Sequence, residues 1–226
     1  MDRRQLIGAS LAAAALAAAA SAAGQPGPLP RKAMIKVAFM LGENANVIDT
    51  AGPWEVFQDV MVTEGDRHLH PFFPFTVAPT EEPVRMTGGL LVKPAYSIDK
   101  APQPDVIVVP AQRSTEASRA WLRRASAGAD VTMSVCTGAF QLGRVGLLDG
   151  LPATTHHQFW DAFEQEFPKV KLQRGPRFVD TGRIASAGGL TSGIDLALHI
   201  VGRYFGEEVA AATARYMEHQ RVQAAA

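Results

Sequence analysis

The sequence predicts an α/β domain built as a three-layer sandwich, a mostly parallel β-sheet with helices on both faces and a cysteine carried at a nucleophile elbow. Three observations lead there. Short β-rich apolar runs alternate with helix-period segments, the pattern of parallel strands joined by helical crossovers. Val106 to Pro110 is continuously apolar, as a strand buried on both faces should be. In Ser134-Val135-Cys136-Thr137-Gly138 a strand-like run meets a small-residue helix start, with small side chains two positions before and after the cysteine, where strand and helix cross closely.

The elements follow in order. Residues 1–22 read as a signal peptide: Arg3 and Arg4 precede an alanine-rich apolar run too short to span a bilayer comfortably, and Ala20-Ser21-Ala22 offers a cleavage site. Arg3-Arg4-Gln5-Leu6-Ile7 fits the twin-arginine pattern, with a Sec signal as the alternative, and either predicts a periplasmic protein. Residues 23–33 read as a Gly/Pro-rich linker and 34–220 as the single domain. Met34 to Leu41 is the first strand, followed by a helix from Pro53 to Val62 with proline in its first turn. Strands at Phe73 to Ala78 and Val106 to Pro110 precede a helix over Thr115 to Ala127. Val131 to Val135 is the strand that delivers Cys136, and Thr137 to Leu148 the helix that leaves it. An amphipathic helix over His157 to Phe167 ends at Pro168, Phe178 to Ala187 folds back as a hairpin at Asp180-Thr181-Gly182, and helices at Ile194 to Phe205 and Glu207 to His219 finish the domain.

Composition narrows the partners. The formal net charge is +0 and no Lys/Arg run follows the signal, so nucleic acid and anionic membrane surfaces are poor candidates and a small molecule is the better one. No later segment is expected to span a membrane, and no cofactor is expected. Cys136 is the only cysteine, which excludes an internal disulfide.

A thiol at the elbow stands at a helix N-terminus, where free N–H groups and the dipole favour thiolate. Cys136 is therefore expected to be partly exposed with a depressed pKa; a buried structural cysteine is the alternative. Asp49 is placed in the loop after the first strand, on the same sheet edge, so two strand-to-helix loops face one crevice. On local sequence alone the helix-cap reading, with the carboxylate accepting backbone N–H bonds, is the stronger one. His156 and His157 can reach the crevice, but two histidines without further ligands do not specify zinc, and no metal site is expected. Trp54, Phe57 and Val60 read as helix core or dimer packing.

Asp49-Thr50-Ala51-Gly52-Pro53 with Glu55-Val56-Phe57, Ser134-Val135-Cys136-Thr137-Gly138-Ala139, Gly146-Leu147-Leu148-Asp149-Gly150, Ala153-Thr154-Thr155-His156 and Ser192-Gly193-Ile194-Asp195-Leu196-Ala197-Leu198 together resemble the ThiJ/PfpI superfamily, of class I glutamine amidotransferase-like fold. Within it the chain looks most like the isonitrile hydratases and the ligand domains fused to AraC-type regulators. The resemblance implies Cys136 as nucleophile, Asp49 and Thr137 as residues needed for turnover, and a homodimer. It implies hydration of an isonitrile to an N-substituted formamide through a thioimidate on Cys136. Two positions depart from the pattern. Thr137 stands where PfpI proteases carry histidine, which weakens a peptidase reading. Pro110-Ala111-Gln112 replaces Pro-Gly-Gly, so Ala111 offers a backbone N–H and Gln112 an amide to a ligand, beside Gly138 and His156 as further substrate-binding candidates. The competing expectations are a non-catalytic periplasmic small-molecule or redox sensor and glyoxalase-like hydration of a dicarbonyl. With no helix-turn-helix segment before Ala226, transcriptional regulation by this chain is not expected.

Overall fold

A computed structural model describes residues 26–221; the signal peptide expected over residues 1–22 lies outside them. The central sheet has seven strands: β1 (Ile35–Met40), β2 (Phe72–Ala78), β3 (Tyr96–Ser97), β4 (Val106–Val109), β5 (Val131–Ser134), β6 (Phe178–Asp180) and β7 (Ile184–Ala187). Their spatial order is β6-β7-β5-β4-β1-β2-β3, and every pairing but the β6–β7 hairpin is parallel. From β1 the chain goes first to β2 on one side and later to β4 on the other. A crevice therefore opens at the carboxyl ends of β1 and β4.

Period-two alternation assigns the two faces. Ile35, Val37 and Phe39 of β1 join one apolar cluster with α1 (Val47–Asp59), α5 (Ser192–Phe205) and α6 (Glu207–Tyr216). Ala38 and Met40 join the other, with α2 (Glu116–Gly128), α3 (Gly138–Arg144) and α4 (Trp160–Glu166). This is the three-layer sandwich. Phe57 and Val60 are fully buried in the first cluster and are core, while the partly buried Trp54 packs against it with its ring 5.0 Å from that of Phe39. In the segment expected as linker, Leu29 donates its N–H to the Arg203 carbonyl at 2.8 Å and packs on the first cluster.

Several boundaries differ from expectation. Helix α1 begins at Val47, six residues before Pro53, because the Asn46 side chain accepts from the N–H groups of Ile48 and Asp49 and caps the helix there. Pro53 thus sits inside the helix. The helix after the elbow ends at Arg144 instead of Leu148, since Gly146 adopts a φ of 78° and a Schellman closure follows: Leu147 N–H to Leu142 carbonyl at 3.0 Å and Gly146 N–H to Gly143 carbonyl at 2.9 Å. The segment from His157 opens as a 3-10 turn over His157–Phe159 and becomes α-helix only at Trp160.

Candidate active site

Cys136 follows β5 with φ 57°, a left-handed conformation that a side chain adopts at a cost of about 1–2 kcal/mol. Such a turn persists only where its surroundings over-determine it. The Cys136 N–H donates to the Gly188 carbonyl at 2.7 Å, and its own carbonyl accepts from Thr155 Oγ1 at 2.8 Å. Gly138 has no room for more than hydrogen: a Cβ there would stand 2.0 Å from the Val109 carbonyl oxygen. The sulfur receives hydrogen bonds from the N–H groups of Thr137 and Leu190 and from the Thr137 hydroxyl.

The thiol is not what the elbow motif led one to expect. Cys136 is 7% exposed, and burial, with the nearby Asp49 charge second, pushes its pKa up to about 11, although the hydrogen bonds oppose this. Helix α3 is only seven residues long, and the Cys136 N–H is already committed to Gly188. The macrodipole is outweighed by desolvation. Alkylation of this single cysteine by iodoacetamide is accordingly expected to stay slow at pH 8 and to keep rising past pH 9, followed by mass spectrometry of the folded protein; a rate that levels off below the ordinary thiol pKa of about 8.5 would contradict the assignment.

Asp49 is fully buried in the first turn of α1, not in the preceding loop, and Asn46 is the cap. Its Oδ2 accepts the Ala111 N–H at 3.0 Å, while Oδ1 is buried with no hydrogen-bond partner among the described residues. Burial raises its pKa to about 6 against the opposing Ala111 bond. Ala111 therefore holds the carboxylate: its N–H is engaged there and its carbonyl accepts from Asn46 N–H at 2.9 Å. The Gln112 amide likewise turns inward, Nε2 donating to the Met40 carbonyl at 2.9 Å.

A cleft of ≈ 190 Å³ adjoins the elbow, lined by Gln112, Thr137, Phe140, Gln141, Arg144 and Phe159. Thr137 links it to Cys136. His156 stands on another side: its Nδ1 accepts from the Gln158 N–H at 3.3 Å, its ring stacks on His157 with centroids 4.4 Å apart, and a Cβ on Gly189 would lie 2.1 Å from it. Burial, with His157 next, lowers its pKa, which favours the neutral ring. Among the described residues no group of three or more His, Cys, Asp or Glu is arranged to hold a metal ion, and no helix is long and apolar enough to cross a membrane. Sequence reasoning missed the Gly188–Thr191 loop, which supplies both the acceptor for the Cys136 N–H and a donor to its sulfur. The Gly188-Gly189 pair directly after a strand was the available signal.

Comparison with known proteins agrees with this geometry. Residues 35–203 match the model of the DJ-1/PfpI family. The chain is 31% identical to an isonitrile hydratase of Pseudomonas putida over 183 residues, covering 78% of this chain and 75% of that protein. It is 29% identical over 191 residues to the HTH-type transcriptional regulator GbdR of Pseudomonas aeruginosa, covering 82% of this chain but only 51% of the regulator, so it spans about half the length of that relative. A crystal structure of a ThiJ/PfpI family protein from Pseudomonas syringae superposes with a TM-score of 0.74 at 23% identity, over 86% of this chain and 79% of that one. The elbow cysteine, the sheet order and these matches agree: the chain belongs to the DJ-1/PfpI family.

Proposed function

We propose that the protein is a cysteine-dependent hydratase of a small electrophile, an isonitrile, with Cys136 as nucleophile, Asp49 as proton carrier and Thr137 as orienting residue. The observation that carries this reading is the pairing of the elbow thiol with a buried carboxyl whose Oδ1 has no partner among the described residues.

The two pKa values, about 6 and about 11, assign the resting protons. Near neutral pH the sulfur carries its proton and Asp49 is mostly a carboxylate. The carboxylate accepts the thiol proton as sulfur bonds to the isonitrile carbon, then delivers that proton to the same carbon, giving a thioimidate, Cys–S–CH=N–R. Water then adds to this carbon, one of its protons passing to nitrogen. Collapse breaks the C–S bond, returns the remaining hydroxyl proton to sulfur and releases R–NH–CHO. The carboxylate acts as base and as acid in turn. The hydroxyl and N–H of Thr137, both on the sulfur, orient it through these steps.

The test is incubation of the protein with an alkyl isonitrile and detection of the N-substituted formamide, with Cys136→Ala as control. Formamide production abolished in Cys136→Ala supports the reading, and turnover should rise with pH through about 6 as Asp49 loses its proton. Equal production by both proteins, or none by either, would overturn it, and methylglyoxal run beside the isonitrile reads out dicarbonyl hydration in the same assay.

A second reading, a sensing domain that binds a small molecule without turning it over, is supported by the buried, high-pKa thiol and by the likeness to a transcriptional regulator. Ligand-induced shifts of the thermal midpoint without product would favour it.

A further inference from the structure

The loop after β7 touches Cys136 at two points, its backbone N–H and its sulfur, and Arg177 holds the loop from behind. The Gly188 carbonyl accepts the Cys136 N–H at 2.7 Å, and the Leu190 N–H donates to the Cys136 sulfur. Leu190 is 41% exposed with φ 54°, a strained conformation for a bulky side chain, so little packing of its own keeps the N–H aimed. The restraint comes from behind. The Arg177 carbonyl accepts the Gly188 N–H at 2.8 Å, and the Arg177 guanidinium donates to Thr191 Oγ1 at 3.2 Å, gripping the loop on both sides of Leu190. The same guanidinium is fixed by its Nε–H donating to Asp195 Oδ2 at 2.6 Å. The Asp195 side chain is 1% exposed, and its Oδ1 pairs with His219 Nε2 at 3.0 Å. On the far side His156 closes against Gly189, leaving the loop no space to swing that way.

We propose that Arg177 and Asp195 form a positioning pair, which through the loop Gly188–Thr191 holds the Leu190 N–H on the sulfur of Cys136. They act through that N–H and not on a substrate. The planar guanidinium is suited to this because one rigid fork reaches two acceptors at once, which an ammonium does not reproduce. The effect on turnover rests on the reading of Cys136 as the reacting group; the effect on the thiol does not. Titratable groups that face the thiol, the loop and the pair behind it include Asp49 on α1, His156 against Gly189, and His219 on Asp195 Oδ1.

Arg177→Lys keeps a cation beside Asp195 but removes the fork. In the folded variant the Leu190 amide should exchange with deuterium at least about 10-fold faster than in the parent, because its hydrogen bond opens more often. With the cysteine Cβ carbon labelled for NMR, a smaller fraction of Cys136 should be thiolate at any given alkaline pH, since a donor to the charged form is weakened. If isonitrile turnover is present in the parent, kcat should fall more than KM changes. Arg203→Lys is the matched control. Arg203 grips the buried Asp180 with Nη1 at 3.3 and 3.0 Å from the opposite end of the same helix. It should leave both thiol readouts unchanged even where it lowers the thermal midpoint.

Should Arg177→Lys not fold, Thr191→Val, which deletes only the tie from guanidinium to loop, should speed Leu190 exchange in the same direction. Unchanged Leu190 exchange and unchanged thiol titration in the folded variant would overturn the proposal, and so would equal changes in Arg203→Lys. Neither readout needs a substrate, so failure of the isonitrile reading and failure of this proposal give different results.

Discussion

Asp49→Asn is expected to lower turnover by roughly 10²-fold or more, the scale of general acid–base catalysis, while making the fold more stable and the thiol more reactive. The stability arm follows from the raised pKa. A carboxyl whose folded pKa lies above its unfolded value binds its proton more tightly in the native state. Its contribution is then fully favourable below the unfolded value and is lost as pH rises through the folded one. For Asp49 those values are 3.8 and about 6, so at neutral pH the buried charge costs on the order of 3 kcal/mol. Asparagine removes that charge and can keep the Ala111 N–H bond through its carbonyl oxygen, but its NH₂ group must find an acceptor where Oδ1 has no partner among the described residues. The net gain should be about 1–3 kcal/mol, several degrees in thermal midpoint at pH 7–8 and nearly nothing at pH 4. The thiol arm follows from the Coulombic effect of Asp49 on Cys136: with the charge gone, alkylation at pH 8 should quicken several-fold. A variant with lower midpoint and slower alkylation would mark Asp49 as structural. Retained turnover would remove it from the proton path.

How much of this was legible in sequence depended on whether the determining contacts were local. The strands, their burial and the elbow were readable because Val106 to Pro110 and Ser134 to Gly138 carry their signals within a few residues. The start of α1 was also local, since Asn46 lies three residues before Asp49, but Pro53 gave the louder signal and drew the boundary inward. Gly146 could have ended the elbow helix on the same grounds. What sequence did not yield is the state of the thiol. An elbow motif describes the helix ahead of Cys136, whereas the burial that raises its pKa is a property of the folded chain, and the two sulfur-bound N–H donors, Thr137 and Leu190, are separated by more than fifty positions along the chain. The pairing of β5 with β7 puts them together, and that register is a property of the sheet.

Gly138→Ala is the substitution expected to damage the fold most. Helix α3 leaves the elbow across the carboxyl end of β4 so closely that a methyl group at position 138 would lie 2.0 Å from the Val109 carbonyl oxygen and 3.0 Å from that of Pro110. Both neighbours are backbone, so no rotamer change relieves the contact. The Val109 carbonyl also accepts the Val135 N–H at 3.0 Å, and moving it would pull on the strand that presents Cys136. Alanine's better helix propensity, worth at most about 1 kcal/mol over glycine, does not offset a shift of two packed elements. A loss of about 3 kcal/mol or more is expected, above the usual cost of one extra methyl in a core because the obstacle cannot repack. Gly146→Ala makes the comparison. A Cβ at Gly146 meets nothing within 4 Å, so only its φ of 78° is at stake and about 1 kcal/mol should be lost. Urea unfolding of the two variants should therefore rank Gly138→Ala well below Gly146→Ala, with the thiol disturbed only in the former. Comparable midpoints would mean that α3 can slide along β4, and that the small residue two positions after the cysteine does not set the elbow.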